Sequence, residues 1–256
     1  MSDRAKLEEY FSIIAREKMH PSAGRLRFYL QDLFADVDLR NSRVLDIGGG
    51  SGLFSFYAAC MGAEKVVCLE PESEGSSSGM SARFRRVCEN LGVGEKATLQ
   101  PVTIQSFHPG DSRFDVVLLH NSINHLDEPA CIHLLEDEKN REIYRRIFAK
   151  IGSLSAAEAN LIVCDCSRYN LFARLGIRNP LAPSIEWHKH QAPEVWASLL
   201  RDAGFRDPKI TWIPFNLMGS LGRFLTNNPC ASYCLNSRFC LRMKKTKGGS
   251  VHEASF

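Results

Sequence analysis

No apolar run in this chain approaches the roughly 20 residues that a spanning helix needs; the longest, such as residues 116–119, are far shorter. The first ten residues are charged and lack the apolar segment of a secretory signal, so a soluble, cytoplasmic protein is expected. An excess of charge of either sign is lacking: 32 Lys and Arg against 29 Asp and Glu leave a net +3, which gives no electrostatic case for nucleic acid. One basic cluster, Arg242, Lys244, Lys245 and Lys247, reads as a solvated strand end and tail. There are nine cysteines but no paired C-x-x-C set: Cys164 and Cys166 alternate along an expected strand, and Cys230 and Cys234 are four apart. No metal centre is expected, and the odd count with Cys60, Cys68 and Cys164 in apolar stretches indicates buried reduced thiols. No internal repeat is apparent, and 256 residues suffice for one domain around a sizeable core.

What the sequence does contain is concentrated at Val44-Leu45-Asp46-Ile47-Gly48-Gly49-Gly50-Ser51-Gly52. Residues 44–47 form a short apolar strand, and the glycines then let the backbone turn sharply and approach a ligand. Residues 53–61 read as a buried helix, residues 65–69 as a second buried strand, and Glu70 stands at its carboxyl end. Strand, turn, helix, strand and acid make a βαβ unit of nucleotide-binding type, with a carboxylate placed to accept hydrogen bonds from a ribose. A dinucleotide fingerprint requires a third glycine where Leu53 stands, and Asp46 opposes a pyrophosphate but suits a ligand with positive charge.

Asp46, Gly48, Gly50 and Gly52 spell D-x-G-x-G-x-G, and the stretch resembles motif I of the class I S-adenosylmethionine (SAM)-dependent methyltransferases. The resemblance implies SAM as cofactor. Gly48, Gly49, Gly50 and Gly52 would pack on its methionine part, and Glu70, followed by Pro71, would hold both ribose hydroxyls. Residues 114–126, beginning Phe-Asp-Val-Val, resemble the family's fourth strand and the loop after it; this puts His120 and Asn121 along SAM and His125 at the histidine before Leu126. Many members carry an acid after the third strand for the adenine amino group. Here residues 103–107 have none, and Gln105 and Ser106 occupy that place. The implied fold is α/β and doubly wound: a mostly parallel seven-stranded sheet in the order 3-2-1-4-5-7-6, its last strand antiparallel, with helices on both faces. The likeness is good over residues 40–165 and holds in outline elsewhere.

Periodicity supplies the remaining elements. Helices are expected over residues 4–19, from Ser22 to about Phe34, and over 81–91, 132–151 and 192–203; further strands over 97–104, 114–119, 160–165, 209–215 and 239–244; and a loop over 72–80. The single domain 1–256 is then an N-terminal helical part (1–40), a cofactor core (41–165) and a C-terminal part (166–256) with insertions at 167–191 and 217–237. The N-terminal helices either form a lid over the site or pack against the sheet edge; both readings stand.

Methyl transfer from a sulfonium mainly requires alignment of nucleophile, methyl and sulfur. A hydroxyl nucleophile also has to lose a proton, and histidine is suited to removing it near neutral pH. His120, His125, His188 and His190 are candidates, with His125 and His188 foremost as catalytic residues. No D/N-P-P-Y/F sequence follows the fourth strand, which lowers the case for amide or exocyclic-amine acceptors. The aromatic and cationic residues of 167–191 suit a polar small molecule. The expected partner is therefore a small-molecule acceptor, methylated on an oxygen of a metabolite or sugar-like compound, with no membrane and no nucleic acid. Two alternatives remain: a SAM-binding protein without transfer activity, and a nicotinamide-dependent oxidoreductase, which Leu53 and Asp46 oppose.

Overall fold

The computed structural model describes residues 3–71, 79–213 and 228–247. Seven strands form one sheet in the order β3-β2-β1-β4-β5-β7-β6. They are β1 (Arg43–Ile47), β2 (Lys65–Leu69), β3 (Ala97–Gln100), β4 (Phe114–His120), β5 (Ser155–Cys166), β6 (Phe205–Trp212) and β7 (Arg238–Lys245). The first five strands pair in parallel, whereas β7 runs antiparallel to both β5 and β6. The expected topology holds throughout.

Alternation along each strand builds two cores, because successive side chains point to opposite faces. Val44, Val66, Cys68, Val116, Leu118, Ile162 and Cys164 belong to one core, with the helices α1 (Asp3–Arg16), α2 (Ala23–Leu33), α3 (Leu53–Cys60) and α4 (Met80–Leu91). Leu45, Ile47, Val67, Leu69, Val117, Leu119, Leu161 and Val163 belong to the other, under α5 (Glu128–Ile132), α6 (Glu138–Leu154) and α8 (Pro193–Asp202). The short helices α7 (Leu171–Arg174) and α9 (Pro229–Cys234) lie outside these two layers.

The N-terminal helices are part of the first core. Tyr10, Phe11 and Ile14 are buried at helical spacing, and the Tyr10 hydroxyl donates to Leu53 O at 2.9 Å at the start of α3. Ser22 caps α2 by accepting from the Arg25 amide. At the other end of α2, Arg242 of β7 donates through Nη2 to the carbonyls of Asp32 and Leu33, a cation placed where a helix leaves carbonyls unpaired. Lys245 likewise donates to Ala203 O at 2.6 Å. Two members of the basic cluster thus tie helices to the sheet, where a solvated strand end was expected.

Other expectations are corrected. The helix expected over 132–151 is two helices, because Asp127 and Asp137 each cap a new start, accepting from the amides of Ala130 and Lys139. Nor does Gly152 end α6: it lies within the last turn, where an added Cβ would run into Ala203 O. β3 stops at Gln100, since Pro101 brings no N–H to the ladder. β5 begins at Ser155, five residues ahead of the expected start, with an irregular pairing to β4 there and Glu158 in the left-handed region at φ 62°. β6 begins at Phe205. Its expected last two residues, most of the 72–80 loop and residues 217–227 of the second insertion lie outside the described residues.

Candidate active site

The glycine turn joins β1 to α3 at the carboxyl edge of the sheet. Gly48, Gly50 and Gly52 all take positive φ (70°, 57° and 88°), a region open to glycine at little cost. Gly48 and Gly52 are glycine for a further reason. The Gly48 N–H donates to Leu69 O at 2.7 Å, and a Cβ at Gly48 would lie 2.5 Å from Ser122 Cβ. A Cβ at Gly52 would lie 2.5 Å from the Phe84 ring and 2.9 Å from the Phe56 ring. At Gly50 nothing stands within 4 Å, so the turn presents open space there. Gly52→Ala combines left-handed strain with overpacking. We expect it to lower stability by about 2–4 kcal/mol, read as a shifted urea midpoint. An unchanged midpoint would contradict this packing.

Glu70 extends from the end of β2 and its Oε2 accepts from the Gly50 amide at 2.8 Å, which fixes the carboxylate beside the turn. Glu70 and Gly48 line a cleft of about 330 Å³ together with Leu69, Pro71, residues 102–105, Asn121, Ser122, His125 and Leu126. Asp46 lies beneath the turn, 1% exposed, with Oδ2 accepting from Ser55 Oγ at 2.7 Å and Oδ1 without a partner. Burial, with a smaller contribution from the Glu70 charge, pushes its carboxyl up to about 6, against the opposing Ser55 hydrogen bond. A buried acid that lacks a counter-charge suits a cation above it.

The adenine end departs from the expected arrangement. The Gln105 side-chain amide donates to Leu126 O at 2.6 Å, and Ser106 bonds only Thr103 and lies outside the cleft lining. Thr103, Ile104 and Gln105 line the cleft instead. His125 is exposed in the cofactor cleft, its Nδ1 3.2 Å from Glu128. His188 is exposed on the 3-10 turn Trp187–Lys189 and lines neither this cleft nor the cavity described next. The two histidines expected to be catalytic are therefore not brought together.

A second cavity, of about 510 Å³, shares with the first the lining residue Asn121, whose φ is 53° and whose backbone amide donates to Cys164 O at 2.7 Å. His120, expected along the cofactor, lines this second cavity. Its Nε2 lies 2.7 Å from the Tyr29 hydroxyl, and its ring packs 4.3 Å from that of Phe54. Burial first, then the Arg238 charge, pulls its pKa down to about 3, so the imidazole is neutral at ordinary pH. Asp165, at the end of β5, also lines the cavity; its Oδ1 lies 3.1 Å from His190 Nδ1, and Oδ2 has no partner. Arg25 and Arg238 stand on the exposed side of the lining. Tyr29, Arg25, Asp165, Ser122 and Arg238 were not singled out in the sequence as site residues. Only Tyr29 and Arg25 carried a signal, as an i, i+4 pair on one face of α2.

Comparison with known proteins agrees with this geometry. Residues 44–141 match the family model described as "Methyltransferase domain". Histone-arginine methyltransferase CARMER of Drosophila erecta is 26% identical over 140 residues, covering 54% of this chain and 23% of that protein. The chain thus matches about a quarter of the length of these curated relatives. A SAM-dependent methyltransferase from Aquifex aeolicus superposes with a TM-score of 0.56 at 14% identity, covering 90% of this chain and 96% of its own. The StiE O-MT structure superposes with a TM-score of 0.58 at 15% identity, covering 91% and 77%. Residues 44–141 carry the likeness to a methyltransferase domain, and the chain has the fold of solved class I SAM-dependent methyltransferases, whose cofactor is SAM.

The residues present fit that cofactor. The open face at Gly50, the carboxylate at Glu70 and the unpartnered Asp46 Oδ1 under the turn provide room, a ribose acceptor and a negative charge.

Proposed function

We propose that the protein transfers the methyl group of SAM to a hydroxyl oxygen of a small molecule seated in the 510 Å³ cavity. The observation that carries this reading is a metabolite-sized cavity next to the cofactor cleft, the two sharing Asn121 as a lining residue. Glu70 would hold the ribose, the Gly48–Gly52 turn the methionine part, and residues 102–105 the adenine. Bound SAM supplies an electrophilic methyl on a good leaving group, so the chain's task is mostly placement.

Tyr29 and His120 form a neutral hydrogen-bonded pair on the inner wall and would orient the acceptor hydroxyl. A histidine with a pKa near 3 is a weak base at neutral pH, which leaves proton acceptance to the Asp165–His190 pair. The curated relatives are named for arginine methylation. A guanidinium acceptor would face Arg25 and Arg238 in this cavity against one carboxylate, Asp165, which disfavours it.

The test is a panel of hydroxylated metabolites incubated with methyl-labelled SAM, the methylated atom then being located by mass spectrometry. Tyr29→Phe and Asp165→Asn are expected to lower kcat at least tenfold while SAM affinity stays within twofold. Methylation confined to nitrogen acceptors or histone peptides would contradict the proposal.

A further inference from the structure

We propose that the methyl acceptor is an anion whose carboxylate or phosphate group is held between Arg25 and Arg238 at the mouth of the second cavity. The inference rests on reading that cavity as the acceptor site. Arg25 lies in the first turn of α2 and Arg238 begins β7; both line the cavity and both are exposed.

Neither guanidinium has an ion pair among the described residues, and neither side chain makes a hydrogen bond there. Arg242, four residues along β7, is by contrast engaged by the end carbonyls of α2. The single carboxylate in the lining, Asp165, already faces His190. Two uncompensated cations therefore share one small cavity, and the N-terminal end of α2 adds positive potential of the same sign. The Arg238 charge is felt on the inner wall, where it contributes to keeping His120 neutral. Planar guanidinium forks match carboxylate and phosphate oxygens in paired hydrogen bonds.

The same arrangement bounds the acceptor's size. Arg25 and Tyr29 are four residues apart on α2, about 6 Å along the helix axis. The anionic group and the reacting hydroxyl would thus lie about one helical turn apart, with Pro21, Leu181, Ile213 and Phe239 taking the carbon skeleton between them. A small hydroxy-acid, a hydroxybenzoate or a short phosphorylated alcohol has these proportions.

Calorimetric titration of 4-hydroxybenzoate and of inorganic phosphate into protein saturated with S-adenosylhomocysteine tests the assignment. We expect saturable binding of at least one probe, weakened about tenfold or more in Arg25→Gln and in Arg238→Gln, and largely retained in Arg238→Lys. S-adenosylhomocysteine affinity should be unchanged in all three variants. Equal anion affinity in wild type and both Gln variants would overturn the proposal, as would a wild type that binds S-adenosylhomocysteine but neither anion. A wild type that binds anions through the two arginines but not S-adenosylhomocysteine would leave the anion site standing and remove the methyl-transfer reading instead.

Discussion

Glu70→Ala is expected to weaken SAM binding by about 10- to 100-fold with little change in the unfolding midpoint. The carboxylate sits at the end of β2 and lines the cleft, with Oε2 held by the Gly50 amide at 2.8 Å. It therefore needs no reorientation to accept ribose hydroxyls. Charge-assisted hydrogen bonds of this kind contribute about 1.5–3 kcal/mol, which spans that range. Releasing the Gly50 amide loosens the turn and adds to it. Glu70→Gln keeps the shape and one acceptor oxygen, so it should fall between wild type and alanine. Calorimetry that returns wild-type affinity for Glu70→Ala would remove the ribose role.

The second large effect is a pH dependence centred on Asp46. Its carboxyl is pushed up to about 6 by burial, whereas an unfolded chain would hold it near 3.8. The protonated form thus favours folding, a contribution present below about pH 4 and lost as pH rises through 6. Ionised Asp46 under the turn costs on the order of 3 kcal/mol at neutral pH. A cation above the turn favours the ionised form and recovers part of that cost. SAM affinity should consequently be flat above pH 7 and fall by up to tenfold per unit as pH drops below about 6, with proton uptake competing against the cofactor. Asp46→Asn should bind SAM more weakly at pH 7 and lose the decline between pH 6 and 5, as calorimetry in buffers of different ionisation enthalpy would show. An identical slope in the variant would assign the titration elsewhere.

The parts of this molecule that were legible in its sequence are those fixed by short-range stereochemistry. Val44 to Gly52 announces a strand and a left-handed turn because glycine takes the φ values found at 48, 50 and 52 at little cost. The strand order followed from a resemblance carried by those residues and by Phe114 to Val117. Alanine and glutamate at residues 156–159 favour helix, and the strand was expected only from residue 160. Pairing of β5 between β4 and β7 overrides that preference. Asp127 and Asp137 could have signalled the break between α5 and α6, since each stands where a helix cap belongs. The second cavity was out of reach for a different reason. Tyr29 and His120 are 91 positions apart, and Asp165 and His190 are 25 apart. Neither pair has a local pattern, so only the packing of α2 and the 187–190 segment against the strand ends reveals them. The turn at Trp187–Lys189 leaves His188 exposed and brings His190 to Asp165, a difference that their shared setting in the sequence does not reveal.

The central claim is that the cleft beside the Gly48–Gly52 turn receives a cationic methyl donor. Calorimetric titration of SAM into the wild-type protein, repeated in the presence of excess NAD, tests it most directly. The account predicts one saturable SAM site that NAD does not displace and that Glu70→Ala weakens. Absence of SAM binding, or its displacement by NAD, would contradict it.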